Sequence, residues 1–596
     1  MMVLAALMLA GCHDYEETSD VNQKDILSCF DANGKAWLNL QIPLGFQTRS
    51  EFNDGDPSEY AVHSLTIVLF HGSSEADARV ASSYLFTFTE QMDPATQVTK
   101  TLQVSSDNIQ KDDNIYLLAI LNANPPLASG TPFSVVSDML TDVTNTYNNT
   151  NYFVMTNASL ATANDGTGEV KTLVYMNPSF FYATEEEALA HPASHIYVER
   201  VGAKVTVERG NIPTITNGTY TDYYVKGNPN LVFTNEHLAD YTIYNYNAQS
   251  YLVRHFDANW LPLSIDNNVF RFVEPQALPY GTPSMYRTYW AQDVNYSTGM
   301  TNNTEKGWKT IGSSDYCAEN TMDLAHMDIK NSTLALVKLN LNNYWSFYTT
   351  SVTGTDVIYQ LPVNYQEEEG TSAHDSFAPS LAPRMATDDS HYYVSSARPI
   401  DEYLREWLMQ TNSDARDWVN TYAAGDASRI IIDLEASDGT KAGPHGGGLA
   451  VVKCSQKART SGTVGANAFD ALGLNAYFAS NITVNYYHHG YCYYLVPIMH
   501  FGDSQTPWQS APSMTGSTAA AAYGSNNAAY LGRYGVVRNN WYNISITGVS
   551  HVGYCNAALL FDKMKDQADD TVEQLLNATL VISPWTANNN VLTPNP

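Results

Sequence analysis

The sequence of 596 residues predicts a mainly β protein: two antiparallel, sandwich-like domains in tandem, with helical insertions in the second. Three observations carry that expectation. Short alternating or continuous apolar segments recur along the chain, separated by stretches of Asn, Asp, Gly, Ser and Thr, which is the pattern of strands joined by turns. Aromatics make up 12% of the chain, and its 40 Tyr and 10 Trp suit broad sheets whose side chains are apolar at one end and wet at the other. Helical spacing is concentrated in a few stretches. The length exceeds what one hydrophobic core serves, so at least two domains follow.

Composition narrows the function. The 61 acidic residues against 31 basic ones give a net charge of -30, a field that opposes binding to nucleic acid or to an anionic membrane surface. Six cysteines, at 12, 29, 317, 454, 492 and 555, are too few and too scattered for a disulfide scaffold, and no CxxC pair suggests thiolate zinc. No GxSxG, HExxH or GxxxxGK[ST] sequence occurs, and the reading is of a protein that is not an enzyme and takes no cofactor. His488 and His489 are adjacent and so point to opposite faces of a strand. They, His500 near Asp503, and His551 read as surface or turn histidines rather than metal ligands.

Taken in order, residues 1–12 read as a lipoprotein signal. The apolar run through Leu9, Ala10 and Gly11 is too short to cross a bilayer and ends in Cys12. Acylated there, the chain would be anchored through lipid without spanning. The run lacks a basic leading region, and the alternative is a disordered N-terminus with an incidental cysteine. Residues 13–49 are polar except for KAWLNLQIPLGF at 35–46, where Leu38, Leu40 and Ile42 share one face of a strand and Trp37, Asn39 and Gln41 the other. Pro43 ends that strand or keeps it at an edge. Arg49 lies in the polar connector that follows.

Residues 50–209 form the expected N-terminal domain. Val62 to Phe70 reads as an interior strand, followed by Tyr84 to Phe88, Ile115 to Asn122 and the short Tyr152 to Met155. Glu185 to Ala190 is an acidic helical turn. In Ser194 to Arg209 the apolar alternation changes face midway, which places a bulge at Arg200 or Val201. Residues 210–577 form the second domain, where Thr333 to Leu341 is the first clear strand. Tyr403, Leu404, Trp407 and Leu408 give a helix over Asp401 to Gln410 after an acidic start. Ser428 to Leu434 is a strand, and the glycines 446 to 448 a loop. Tyr477 to Tyr487, Tyr491 to Met499 and Val536 to Val549 read as strands. Ala519 to Tyr523 and Asn526 to Tyr530 are a soft connector, and Thr571 to Asn577 reads as a capped helical turn. Residues 578–596 are a tail whose strand Ala578 to Ile582 carries Leu580 and Ile582, with Trp585 beyond.

Thr48 to Phe70, TRSEFNDGDPSEYAVHSLTIVLF, resembles the start of the mature region in fimbrial subunits of Bacteroidales. Tyr530 to Gly548, YLGRYGVVRNNWYNISITG, resembles the C-terminal signature of the same superfamily, particularly the Mfa-type major subunits of minor fimbriae, and Ser194 to Glu208 resembles the strand ending their first domain. The resemblance implies transthyretin-like sandwiches, lipidation at Cys12 and transport to the outer membrane. It also implies cleavage between Arg49 and Ser50 by a trypsin-like surface protease. Leaving with the propeptide, the strand bearing Leu38, Leu40 and Ile42 would vacate a groove. A strand from another subunit, bearing the equivalents of Leu580, Ile582 and Trp585, would refill it and build an extracellular fimbrium that adheres to host or bacterial surfaces. Such a groove presents unpaired backbone groups and apolar sockets, both of which a donated strand satisfies. The joint presence of Arg49 and an apolar tail favours a stalk subunit over a tip or anchor subunit. The competing reading is a surface glycan-binding lipoprotein using Tyr486, Tyr487, Tyr491, Tyr493 and Tyr494 as aromatic platforms, although alternation turns about half of such residues inward, as with the neighbours Trp541 and Tyr542.

Overall fold

The computed structural model describes residues 25–43, 57–88, 97–191, 196–210, 214–217, 220–225, 228–234, 240–265, 269–278, 284–300, 305–340, 347–352, 355–360, 382–388, 391–394, 400–436, 448–456, 471–487, 491–502, 505–506, 531–549, 553–565 and 576–584. Within them the chain is mainly β, in several predominantly antiparallel sheets.

The first domain contains β1 (Lys35–Pro43), β2 (Ser64–Gly72), β3 (Arg79–Thr87), β4 (Gln97–Ser105), β5 (Asn114–Leu121), β6 (Met155–Asn157), β7 (Val174–Met176), α1 (Glu185–Ala190) and β8 (Val198–Arg200). One sheet runs β8-β6-β5-β2-β3, with β7 also on β5, while β1 and β4 make a separate antiparallel pair. The long apolar runs in β2 and β5 reflect burial on both faces. Leu65, Ile67 and Leu69, with Leu117, Ala119 and Leu121, meet β1 and β4 across one core. Val68, Phe70, Leu118 and Ile120 pack into a second core with Val136, Leu252 and Val253. Helix α1 starts where Thr184 accepts from the Glu187 amide, and three glutamates occupy its first turn, where the helix dipole favours negative charge.

Strand β9 (Gly202–Arg209), expected at the end of the first domain, pairs instead within the next sheet, and here the structure corrects the expected bulge. Val201 N still donates to Val154 O of the first domain at 3.0 Å, whereas Gly202 already pairs with Ala318 of the next sheet. The change of face is therefore a passage between sheets. A Cβ at Gly202 would stand 2.3 Å from Val143 Cγ1, so the crossover is too close for any side chain. The second domain continues with β10 (Asp240–Tyr244), β11 (Ser314–Ala318) and β12 (Leu334–Asn340). Neither β10 nor β11 stands out in the sequence, because each is short and mixes Tyr, Thr, Ser and Asp with its apolar residues.

An insertion follows: β13 (Phe347–Val352), β14 (Thr355–Gln360), β15 (Ala382–Asp388), β16 (His391–Val394), α2 (Ile400–Thr411), α3 (Ser413–Tyr422), β17 (Ile430–Ala436), β18 (Gly448–Gln456), α4 (Ala471–Asn481) and β19 (Thr483–Tyr487). Its seven strands run β16-β15-β14-β13-β19-β18-β17. Leu404, Leu408, Val419 and Phe478 from the helices pack on Ile430, Ile432, Val452 and Val484. Here a second expectation fails. Residues 477–481 are helical rather than extended, because the buried positions Leu474, Phe478 and Ile482 recur every fourth residue and turn one helical face to the sheet.

The chain returns through β20 (Tyr491–Pro497), β21 (Asn540–Val549), α5 (Ala557–Lys565) and β22 (Leu576–Pro584). Strand β9 sits between β11, antiparallel to it, and β21, which runs parallel to it from Lys204↔Trp541 to Arg209↔Ile546. Strand β22 lies antiparallel on the far side of β21. Facing this sheet are β10, β12 and β20, and Val205, Val207, Tyr542 and Ile544 meet Ile243, Val337 and Tyr494 in the shared core. Asn539, at φ +57°, forces a turn just before β21, so the strand starts at Asn540 and not at Val536. Leu576 and Asn577 belong to β22 rather than to a helical turn. Residues 446–447, 519–523, 526–530 and 571–575 lie outside the described residues.

Candidate functional site

Strand β1 occupies a groove in the first domain. It pairs with β4 along its whole length, from Lys35↔Ser105 to Pro43↔Gln97. Its other edge has one bridge among the described residues, where Trp37 and Tyr182 exchange two backbone hydrogen bonds of 2.7 and 2.9 Å. Alternation directs Ala36, Leu38, Leu40 and Ile42 inward, and all four are 0% exposed. Burying each of the three large ones contributes about 1.5–3 kcal/mol. The walls of the groove are Val62, Leu65, Ile67 and Leu69 on one side and Leu102, Val104 and Phe181 on others. The described part of β1 ends at Pro43, and description resumes at Pro57. Arg49 and Ser50 lie between them, outside the described residues, as does Cys12.

Just past that interval the chain is pinned. Glu59 is 0% exposed, and its carboxylate lies 2.7 Å from Lys204 Nζ of β9 while accepting from the Tyr316 hydroxyl of β11. Arg200 Nε donates to the Glu59 carbonyl at 2.8 Å, and the ring of Trp541 lies 4.3 Å from Lys204 Nζ. Asn122, at φ +61°, donates to Ala61 O and accepts from His63 N, so residues 59–63 are held from both domains. Farther along the same seam, Arg254 pairs with Glu199 at 2.7 Å and Arg538 pairs with Glu319, all four buried. Sequence reasoning missed this seam because its charges are spread from residue 59 to residue 538, with no spacing that marks them.

The expected donor residues occupy a different place. Leu580 and Ile582 belong to β22, opposite Ile544 and Tyr542 of β21, and Leu580 packs partly buried against the second domain's core. Trp585 lies outside the described residues. Thus the groove and the C-terminal strand are both filled by this chain's own residues, in two different domains.

Other expectations resolve differently. His500 is buried, not superficial, with Nδ1 2.7 Å from the Tyr542 hydroxyl; burial first, then Arg287 and Arg254, pushes its pKa down to about 3. His488, His489, Asp503 and His551 lie outside the described residues. Cys29, Cys317, Cys454, Cys492 and Cys555 are all buried. Burial pushes the thiols of Cys317, Cys454 and Cys555 up to about 12, the opposite of an activated nucleophile. Tyr486, Tyr487 and Tyr494 are buried, which removes them from any sugar-binding platform, while Tyr491 and Tyr493 are half-buried. Trp541 is half-buried and Tyr542 fully buried, since the two point to opposite faces of their strand.

Residues 519–590 match the family model described as the C-terminal region of the major fimbrial subunit protein type IV, fimbrillin. No curated protein matches the chain. Among solved structures, the chain is similar to a fimbrilin from Porphyromonas gingivalis W83, at 12% identity and a TM-score of 0.35, covering 93% of this chain and 98% of that one. It is also similar to a fimbrial assembly protein from Parabacteroides distasonis ATCC 8503, at 10% identity and a TM-score of 0.25, covering 61% of this chain and 99% of that one.

Proposed function

We propose that this chain, whose residues 519–590 match the fimbrillin C-terminal model, is a fimbrial stalk pilin polymerised by protease-triggered strand exchange. In this reading the chain travels as a lipoprotein acylated at Cys12, and a trypsin-like protease at the outer membrane cuts between Arg49 and Ser50. Residues 13–49 then leave, taking Leu38, Leu40 and Ile42 out of the groove. The C-terminal segment of another copy, through Leu580, Ile582 and Trp585, takes their place. The assembled fimbrium supports adhesion and biofilm formation on host or bacterial surfaces, and kinship with the Mfa-type subunits belongs to the same reading.

One observation carries the proposal: a strand with four fully buried inward residues, held among the described residues by a full ladder on one edge and a single bridge on the other, ends just before the connector that contains Arg49. Removing it would expose the β4 edge and an apolar trough together, and an incoming strand would satisfy both. The C-terminal sequence suits that trough. Ala578, Leu580 and Ile582 have, at the same two-residue interval, the order of one alanine and two large aliphatic residues seen in Ala36, Leu38 and Leu40. In β22 those residues pair with β21, so donation of this stretch requires β22 to leave its own sheet.

The test is an Arg49→Ala variant compared with the wild type by mass spectrometry of the N-terminus and by unboiled gels of surface material. The expected result is a Ser50 terminus and a high-mass ladder for the wild type, with neither for the variant. Ladders built from chains that retain residues 13–49 would overturn the proposal.

A further inference from the structure

We infer that residues 25–30 are a latch, a second anchoring element that holds β1 in its groove from a separate seat on the 178–182 turn. This inference rests on reading β1 as the strand that leaves. Asp25 caps the short turn Ile26–Cys29, accepting from Leu27 N at 3.0 Å through its carboxylate and from Ser28 N at 2.8 Å through its carbonyl. Capped in this way, the turn directs Ile26 and Cys29, 2% and 6% exposed, into the same core that receives β1. Cys29 Sγ lies 3.2 Å from Pro178 O, and the Phe30 ring centroid lies 6.1 Å from that of Phe181. At the rim, Lys111 Nζ is 4.0 Å from the Asp25 carboxylate.

The latch and the strand are joined by a stiff connection. Gly34 N donates to Asp31 O at 2.9 Å and Lys35 N donates to the Asp31 carboxylate at 2.8 Å, closing a turn. Gly34 sits at φ +68°, and a Cβ there would stand 2.5 Å from Ser106 Oγ, so the turn accepts only glycine without strain. The seat of the latch adjoins the Trp37–Tyr182 bridge on the other edge of β1, since Tyr182 directly follows Phe181. Two attachments joined by so short a turn present each other at high effective concentration, so neither opens for long while the other is closed.

The consequence is kinetic. A cut in the connector frees only the C-terminal end of β1, and the strand departs when the latch opens with it. A donor strand that copies β1 would fill the groove but leave the latch seat open, bordered by Phe181 and Pro178.

Native-state hydrogen exchange on the full, uncut, monomeric chain tests this, comparing the wild type with an Ile26→Ala/Phe30→Ala variant. If 25–30 and β1 open together, amides of residues 36–42 exchange about tenfold faster in the variant, while β2 and β5 keep wild-type protection. If residues 26–30 exchange faster while 36–42 keep the wild-type rate, the turn frays independently and the latch is overturned. Ile26→Ala alone provides the same comparison should the double variant lose protection in β2 and β5. Because the chain is uncut, a failure to polymerise after cleavage would count against the strand-exchange reading and leave this result standing.

Discussion

His500 gives the clearest residue-scale prediction. Its imidazole is buried beside the Tyr542 hydroxyl, and the Arg287 and Arg254 charges reinforce the effect of burial in disfavouring the protonated ring. The folded pKa, about 3, lies below the ordinary value of 6.5, so the unfolded chain binds the proton more readily. The stabilisation is therefore complete above pH 6.5 and lost as pH falls toward 3, by about 1.4 kcal/mol per pH unit for this one group. The buried carboxyls of Asp293 and Glu199 are pushed up by burial and act in the opposite sense. The useful measurement is thus the difference between wild type and His500→Asn, which keeps an acceptor near Nδ1 without titrating. That difference in denaturant midpoint should shrink as pH falls from 7.5 to 5; a pH-independent difference would refute the assignment.

At the scale of elements, β22 poses the sharper question. It is a full antiparallel partner of β21, with Ser545 opposite Thr579, and it also contains the residues expected to be donated. A Ser545→Cys/Thr579→Cys pair would staple the two strands when oxidised. If donation uses Leu580 and Ile582, oxidised protein cut at Arg49 stays monomeric and forms ladders once reduced. Ladder formation by the oxidised form would place the donor beyond Pro584, from Trp585 onward. Like β22, strand β1 has its full ladder against a single partner, and among the described residues it adds the Trp37–Tyr182 bridge on the other edge.

On the scale of the whole molecule, the seam between the two domains decides whether they behave as one body. The strand that passes from β8 to β9 is a covalent link, and beside it a buried ion pair, Glu59 with Lys204, joins residues of both domains. Removing one partner of such a pair strands the other charge away from water, which costs about 3–5 kcal/mol. Lys204→Met should lower the stability of the domain pair by that amount, read as a lower denaturant midpoint with unchanged slope if both domains unfold together. Two resolved transitions in the wild type would show that the domains unfold separately.

Local pattern was enough to reveal β1, β2, β5 and α2, because each satisfies its periodicity with its own residues: two-residue alternation in β1, continuous apolar runs in strands buried on both faces, four-residue spacing in α2. The family likeness was also legible, in the stretch ending at Gly548. Other features depended on distant partners. Whether the change of face at Val201 was a bulge or a passage between domains depended on Ala318 and Trp541, far away in the chain. Residues 477–481 formed a helix because Phe478 found a sheet to pack on, and Tyr and Phe are equally at home in strands. The Glu59 and Lys204 pair, the burial of His500 and the seat of Ile26 and Cys29 carry no local signature, since burial of a polar or small side chain is decided by what folds over it.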